Sequence, residues 1–119
     1  MVVDDEPDVR LIARVVLTAA EFEVLEVNSG EAALAELTGG QPPDVVLLDV
    51  RMPGLDGWEV LEQIRADPAL ADLPVVVFTA DMGARGEAPS VLRPGDVLIT
   101  KPFLADDLLR AVQAAVSPG

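Results

Sequence analysis

Four places in this 119-residue sequence set a chemically capable side chain directly after a short apolar run. Asp4, Asp5 and Glu6 follow "VV", Asp49 follows "VVLL", Thr79 follows "VVVF" and Lys101 follows "VLIT". Lys101 is the only lysine, the other cationic side chains all being arginine, and Pro102 stands directly behind it. Taken singly, each residue reads as an ordinary strand terminus. Taken together, they supply carboxylates, one hydroxyl and one ammonium. Two carboxylates about 4–5 Å apart repel by roughly 3–4 kcal/mol at an effective dielectric of 20. A hard divalent cation relieves that repulsion, and oxygen donors without His or Cys favour Mg²⁺ over zinc. A metal beside Asp49 would also neutralise an incoming phosphoryl group, and carboxylates are covalent nucleophiles in aspartyl-phosphate chemistry. Thr79 can donate to a phosphoryl oxygen and Lys101 can pair with another.

These residues need a scaffold that brings their four segments to one edge. "MVV" reads as a short first strand. Val9, Ile12, Val15, Val16 and Ala19 keep helical spacing from Pro7 to Ala20, and Pro7 suits a first turn. "FEVLEV", Phe22 to Val27, mixes apolar and acidic residues as an edge strand does. Ser29 predicts a cap for a helix reaching about Thr38, which Gly39 and Gly40 stop. Val45 to Leu48 reads as a strand buried on both faces, and the loop Met52 to Gly57 is rich in turn residues. Trp58, Leu61, Ile64 and Leu70 predict a third helix ending near Pro68. Pro74 to Phe78 and Val97 to Ile99 read as further buried strands, and Leu104, Leu108, Val112 and Ala115 as the stripe of a final helix.

Strands alternating with helices, the central strands apolar on both faces, predict a parallel sheet covered on both sides. Five strands and about five helices fit an α/β, doubly wound sheet of flavodoxin-like order 2-1-3-4-5. In such a sheet ligands bind beyond the carboxyl ends of the strands, where the four polar positions converge.

Composition narrows the function further. Half the residues are apolar, which suits one compact domain over residues 1–119. The absence of cysteine excludes disulfides and thiolate metal sites, and the absence of histidine excludes phosphohistidine chemistry on this chain. A net charge of −13 opposes binding to nucleic acid or anionic lipid. No apolar run approaches the ~20 residues that span a bilayer, and no signal-peptide pattern opens the sequence, so a cytoplasmic location is expected.

The segments "VVDDEP", "VVLLDVRMPGLDGWEVLEQIR", "VVVFTA" and "ITKPF", in that order, resemble the receiver domain of two-component response regulators. The resemblance runs from end to end, with a first strand that is short at its N-terminal side. It implies that Asp49 is the phosphoacceptor. It also implies that Asp5 holds Mg²⁺ directly, Asp4 through water, and the Arg51 backbone carbonyl as a further ligand. Thr79 would move onto the phosphoryl group and Lys101 would contact it, with the Lys101–Pro102 peptide cis. Glu6 falls outside the matched pair and is expected only to start the first helix, where a carboxylate suits the dipole. The implied partners are a sensor histidine kinase or histidine phosphotransfer protein and an output domain or effector. The implied role is regulatory, not enzymatic.

Three features depart from the family pattern. Leu98 stands where an aromatic switch residue is usual, the segment "MGARGEAPSVLRPG" is rich in Gly and Pro where a fourth helix is expected, and few apolar residues precede "VVDD". A receiver reduced to a protein-interaction module is therefore one alternative. An aspartate-nucleophile phosphatase fits poorly, because Arg51 stands where a second acid is needed. A flavin site fits poorly, because "DDEP" repels phosphate.

Overall fold

In the computed structural model, residues 1–40, 42–79, 97–100 and 104–116 are described. The apolar runs have no polar face to turn towards water, and they pair in the interior. Along the chain come β1 (Val2–Val3), α1 (Pro7–Ala19), β2 (Glu26–Val27), α2 (Gly30–Gly39) and β3 (Val46–Asp49). They are followed by α3 (Gly57–Ala66), β4 (Val75–Thr79), β5 (Val97–Thr100) and α4 (Ala105–Val116). The five strands form one parallel sheet in the order β2-β1-β3-β4-β5, as the alternation predicts. The Gly- and Pro-rich segment expected to form a further helix between β4 and β5 lies outside the described residues.

Side chains alternate across each strand and divide the core in two. Val3, Val46, Leu48, Val75 and Val77 pack with Ala33 and Leu37 of α2 and with Val60, Leu61 and Ile64 of α3. Val2, Leu47, Val76 and Phe78 pack on the other face with Ala13 and Leu17 of α1 and with Leu108, Ala111 and Val112 of α4. Because both faces are covered, the central strands carry no alternating polar set.

Helix ends follow the local chemistry. Pro7 sits in the first turn of α1, and Ser29 Oγ accepts from Ala32 N at 3.1 Å to cap α2. Asp56 and Glu59 form a reciprocal capping box at α3, each side chain accepting from the other's backbone N–H at 2.9 Å. The α3 end is held by Arg65, which donates to the carbonyls of Ala71 and Leu73 at 3.0 and 2.9 Å.

Three expectations are corrected. Strand pairing in Phe22–Val27 is confined to Glu26–Val27, because β1 has only two residues to offer a partner. In α1, Ile12, Val15 and Ala19 face outward, and Ala13 and Leu17 are the buried positions. This helix is apolar around most of its circumference, so periodicity alone does not select the inner face. Leu70 is buried, but in the turn after α3 and not on the helix.

At the amino-terminal edge of the sheet, the Met1 amine donates to the Val45 carbonyl at 2.9 Å. Burial pushes this amine down from 8.0 to about 6, against the opposing pull of Asp44. The folded form thus holds fewer protons than the unfolded form between these values, so stability rises with pH across that interval and levels above it. With no His or Cys in the chain, no side chain has its ordinary pKa in this window. Denaturant unfolding at pH 6 and pH 8 should differ by about 2 kcal/mol in favour of pH 8; equal stabilities would contradict the burial of the amine.

Candidate functional site

The β1–β3 register determines which side chains meet. Val2 pairs with Leu47 and Val3 with Leu48, so one further step sets Asp4 opposite Asp49. Both carboxylate residues are buried, at 0% and 3% exposure. Asp5 and Glu6, which reach solvent, complete a group in which one carboxylate oxygen from each residue lies within 4.8 Å of all the others. At that separation each pair of ionised carboxylates repels by about 3.5 kcal/mol at an effective dielectric of 20. Buried charges in proteins are paired or coordinate metals.

The surrounding backbone holds this group in place. Asp4 N donates to Val27 O at 3.2 Å, one rung beyond β2, and Asp4 Oδ1 accepts from Glu6 N at 2.9 Å. Arg10 donates to the Asp4 carbonyl at 2.7 Å. On the other strand, Arg51 N turns back to donate to Asp49 Oδ1 at 3.3 Å, and Val50 N bonds Phe78 O at 3.0 Å.

The β3–α3 loop closes when Gly57 N donates to Val50 O at 2.9 Å. Gly54 turns the loop at φ 77°, a left-handed conformation that glycine adopts without strain. Leu55 N is tied to Glu31 Oε2 of α2 at 3.3 Å. At Gly57 the helix meets the strand end so closely that a Cβ would collide with the Asp49 carbonyl oxygen and lie 2.7 Å from Val50 Cα.

Asp4, Asp5 and Asp49 therefore come together as the sequence predicts. Glu6 starts α1, as expected, and its carboxylate also lies within the group. Arg51 has its backbone against Asp49. Thr79 closes β4 in register with Thr100, but its side chain lies outside what the structure describes, as do Lys101 and the Lys101–Pro102 peptide. Leu98 is partly buried against the α2–α3 side of the core. Arg10 carries no distinctive signal in the sequence and Gly57 only that of a turn residue; the distances around them reveal their place at the site.

The family description "Response regulator receiver domain" matches residues 1–113. The chain belongs to this family. Over 116 residues the receiver is 33% identical to the transcriptional regulatory protein KdpE of Mycobacterium tuberculosis, a match covering 98% of this chain and 50% of KdpE. It is 40% identical over 111 residues to the response regulator PleD of Caulobacter vibrioides, covering 92% of this chain and 23% of PleD. The receiver thus spans half or less of the length of these two relatives. Among solved structures it is similar to the receiver domain of NtrX from Brucella abortus, with a TM-score of 0.84 and 31% identity, covering 99% of this chain and 98% of that one. No helix among the described residues is long and apolar enough to cross a membrane.

The close packing at Gly57 yields a test. Gly57→Ala should destabilise the receiver by about 1–3 kcal/mol through overpacking against the Asp49 backbone. Gly39→Ala, where an added Cβ meets nothing within 4 Å, should be neutral or stabilise by up to about 1 kcal/mol. Denaturant unfolding of the two variants beside the parent checks both; equal effects would show that contact at Gly57 is not tight.

Proposed function

We propose that residues 1–119 form a single receiver that accepts a phosphoryl group on Asp49 in a Mg²⁺-dependent reaction. The observation that carries this reading is the pair of buried carboxylates, Asp4 and Asp49, with the Asp5 and Glu6 carboxylates beside them. The donor set is all oxygen, which fits a hard cation. Asp5, Asp49 and the Arg51 carbonyl would hold Mg²⁺, Asp4 acting through water. The ion, when bound, screens the mutual repulsion of the carboxylates and the negative charge of the arriving phosphoryl group.

The donor is a phosphohistidine outside residues 1–119, on a sensor histidine kinase or a histidine phosphotransfer protein, since these residues include no histidine. An Asp49 carboxylate oxygen attacks phosphorus, the P–N bond breaks as the P–O bond forms, and the imidazole leaves. Thr79 donates to one phosphoryl oxygen and Lys101 pairs with another. Arrival of the phosphoryl group shifts the receiver's conformation and so controls an output domain or partner protein. The role is regulatory: the chain acts only on its own phosphorylation and dephosphorylation, in the cytoplasm.

Asp49→Asn should abolish labelling by a cognate kinase and by a small phosphodonor with Mg²⁺, read as the mass gain of one phosphoryl group. Undiminished labelling of that variant would remove Asp49 from the role.

Metal binding is expected to stabilise the fold. At a Mg²⁺ concentration ten times the dissociation constant the gain should be about 1.4 kcal/mol, seen as a raised melting temperature. A melting temperature indifferent to millimolar Mg²⁺, or equally responsive after Asp5→Asn, would count against the site.

A further inference from the structure

Arg10 lies in the first turns of α1, where a cation opposes the positive end of the helix dipole. Its contacts account for that placement. The guanidinium donates to the Asp4 carbonyl at 2.7 Å, and its Nε stands 3.5 Å from Glu26 Oε1 of β2. The side chain is only 18% exposed. Arg14, one turn later, holds the other Glu26 oxygen at 3.3 Å. Glu26 is thereby clamped from α1 by two arginines, and Arg10 is anchored to β2 while it grips the turn that follows β1.

The gripped atom matters because of peptide geometry. The Asp4 carbonyl lies in one rigid plane with the nitrogen and Cα of Asp5. Pinning that carbonyl sets the plane, and the plane fixes the N–Cα axis about which the Asp5 side chain can turn. Asp4 itself is already held through Oδ1 by Glu6 N. Arg10 therefore acts on the half of the pair that its own strand no longer supports, since β1 ends at Val3.

We propose that Arg10 is a positioning residue that sets the Asp4–Asp5 peptide for a small, strictly octahedral cation. The proposal rests on the Mg²⁺-dependent reading above. It makes a prediction opposite in sign to simple electrostatics. Removing a positive charge beside an acidic site should tighten cation binding, whereas losing the peptide's orientation should loosen it. Mg²⁺ demands near-ideal octahedral geometry, while Ca²⁺ accepts six to eight oxygens flexibly. Loss of orientation thus falls mainly on Mg²⁺.

The test is titration of the parent, Arg10→Ala, Arg10→Lys and Glu26→Gln with MgCl₂ and, separately, CaCl₂. Calorimetry and melting temperature read the binding, and circular dichroism checks the fold. Arg10→Ala should bind Mg²⁺ about ten-fold more weakly, in the range found when partners behind a metal ligand are lost. Its Ca²⁺ affinity should change by much less, so Mg²⁺ preference over Ca²⁺ falls. Arg10→Lys should recover part of the loss, because one donor can still reach the Asp4 carbonyl. Glu26→Gln keeps that contact and loosens only its anchor, but it also removes a negative charge, so its reading is the ratio of the two ions: Mg²⁺ affinity should fall by more than Ca²⁺ affinity, and that ratio carries the test if Arg10→Ala does not fold.

Unchanged or tighter Mg²⁺ binding in the Arg10 and Glu26 variants would overturn the positioning role and leave the metal site intact. Equal losses for both ions would overturn it as general damage. A parent chain that binds no Mg²⁺ would overturn the metal reading itself, and this inference with it.

Discussion

Two carboxylates that repel one another are buried side by side at the carboxyl ends of β1 and β3, and the local structure is organised around holding them there. The parallel register sets Asp4 opposite Asp49, and hydrophobic packing of Val2, Val3, Leu47 and Leu48 on both faces keeps the register from slipping. A slip by one residue would exchange the faces of every strand side chain, burying charge in the core. The stability of the central strands therefore holds the charges at a spacing they would not choose.

Donors arrive from the segments that follow each strand. Glu6 N serves Asp4 Oδ1 and Arg51 N serves Asp49 Oδ1, both from backbone that has just left the sheet. The amino end of α1 adds its partial positive charge directly behind Asp4. This is the general advantage of the carboxyl edge of a doubly wound sheet: chain turns there, and turning chain exposes N–H groups.

The two sides of the site are supported differently. Asp49 is backed by rigid packing: Gly57 presses on its carbonyl, the Asp56–Glu59 box fixes the start of α3, and Glu31 ties the loop to α2. Asp4 and Asp5 follow a strand of two residues and are held by polar contacts to α1 and β2. In a chain with eight cationic residues and a net charge of −13, two arginines meet at Glu26 next to this turn. Outward from the same helix, Leu11, Ile12 and Val15 remain exposed.

Much of this was legible in the residues themselves. Apolar runs buried on both faces required a covered parallel sheet, and polar residues directly after those runs had to gather at its carboxyl edge. Ser29 and the glycines after Thr38 marked α2 because capping chemistry is local. What could not be read were matters of pairing and approach. The length of β2 depends on how much of β1 it finds, and the inner face of α1 depends on which side meets α4, since its sequence is apolar around most of its circumference. Glu6 joins the carboxylates only because the turn after β1 brings it back, and Gly57 and Arg10 matter only through how closely the start of a helix approaches the strand end before it. The sequence by itself determined the chemistry available and the edge where it would collect, because strand and helix periods are properties of neighbouring residues. Tertiary structure alone decided which atoms touch there, because register and close packing are settled between segments that the chain order keeps apart.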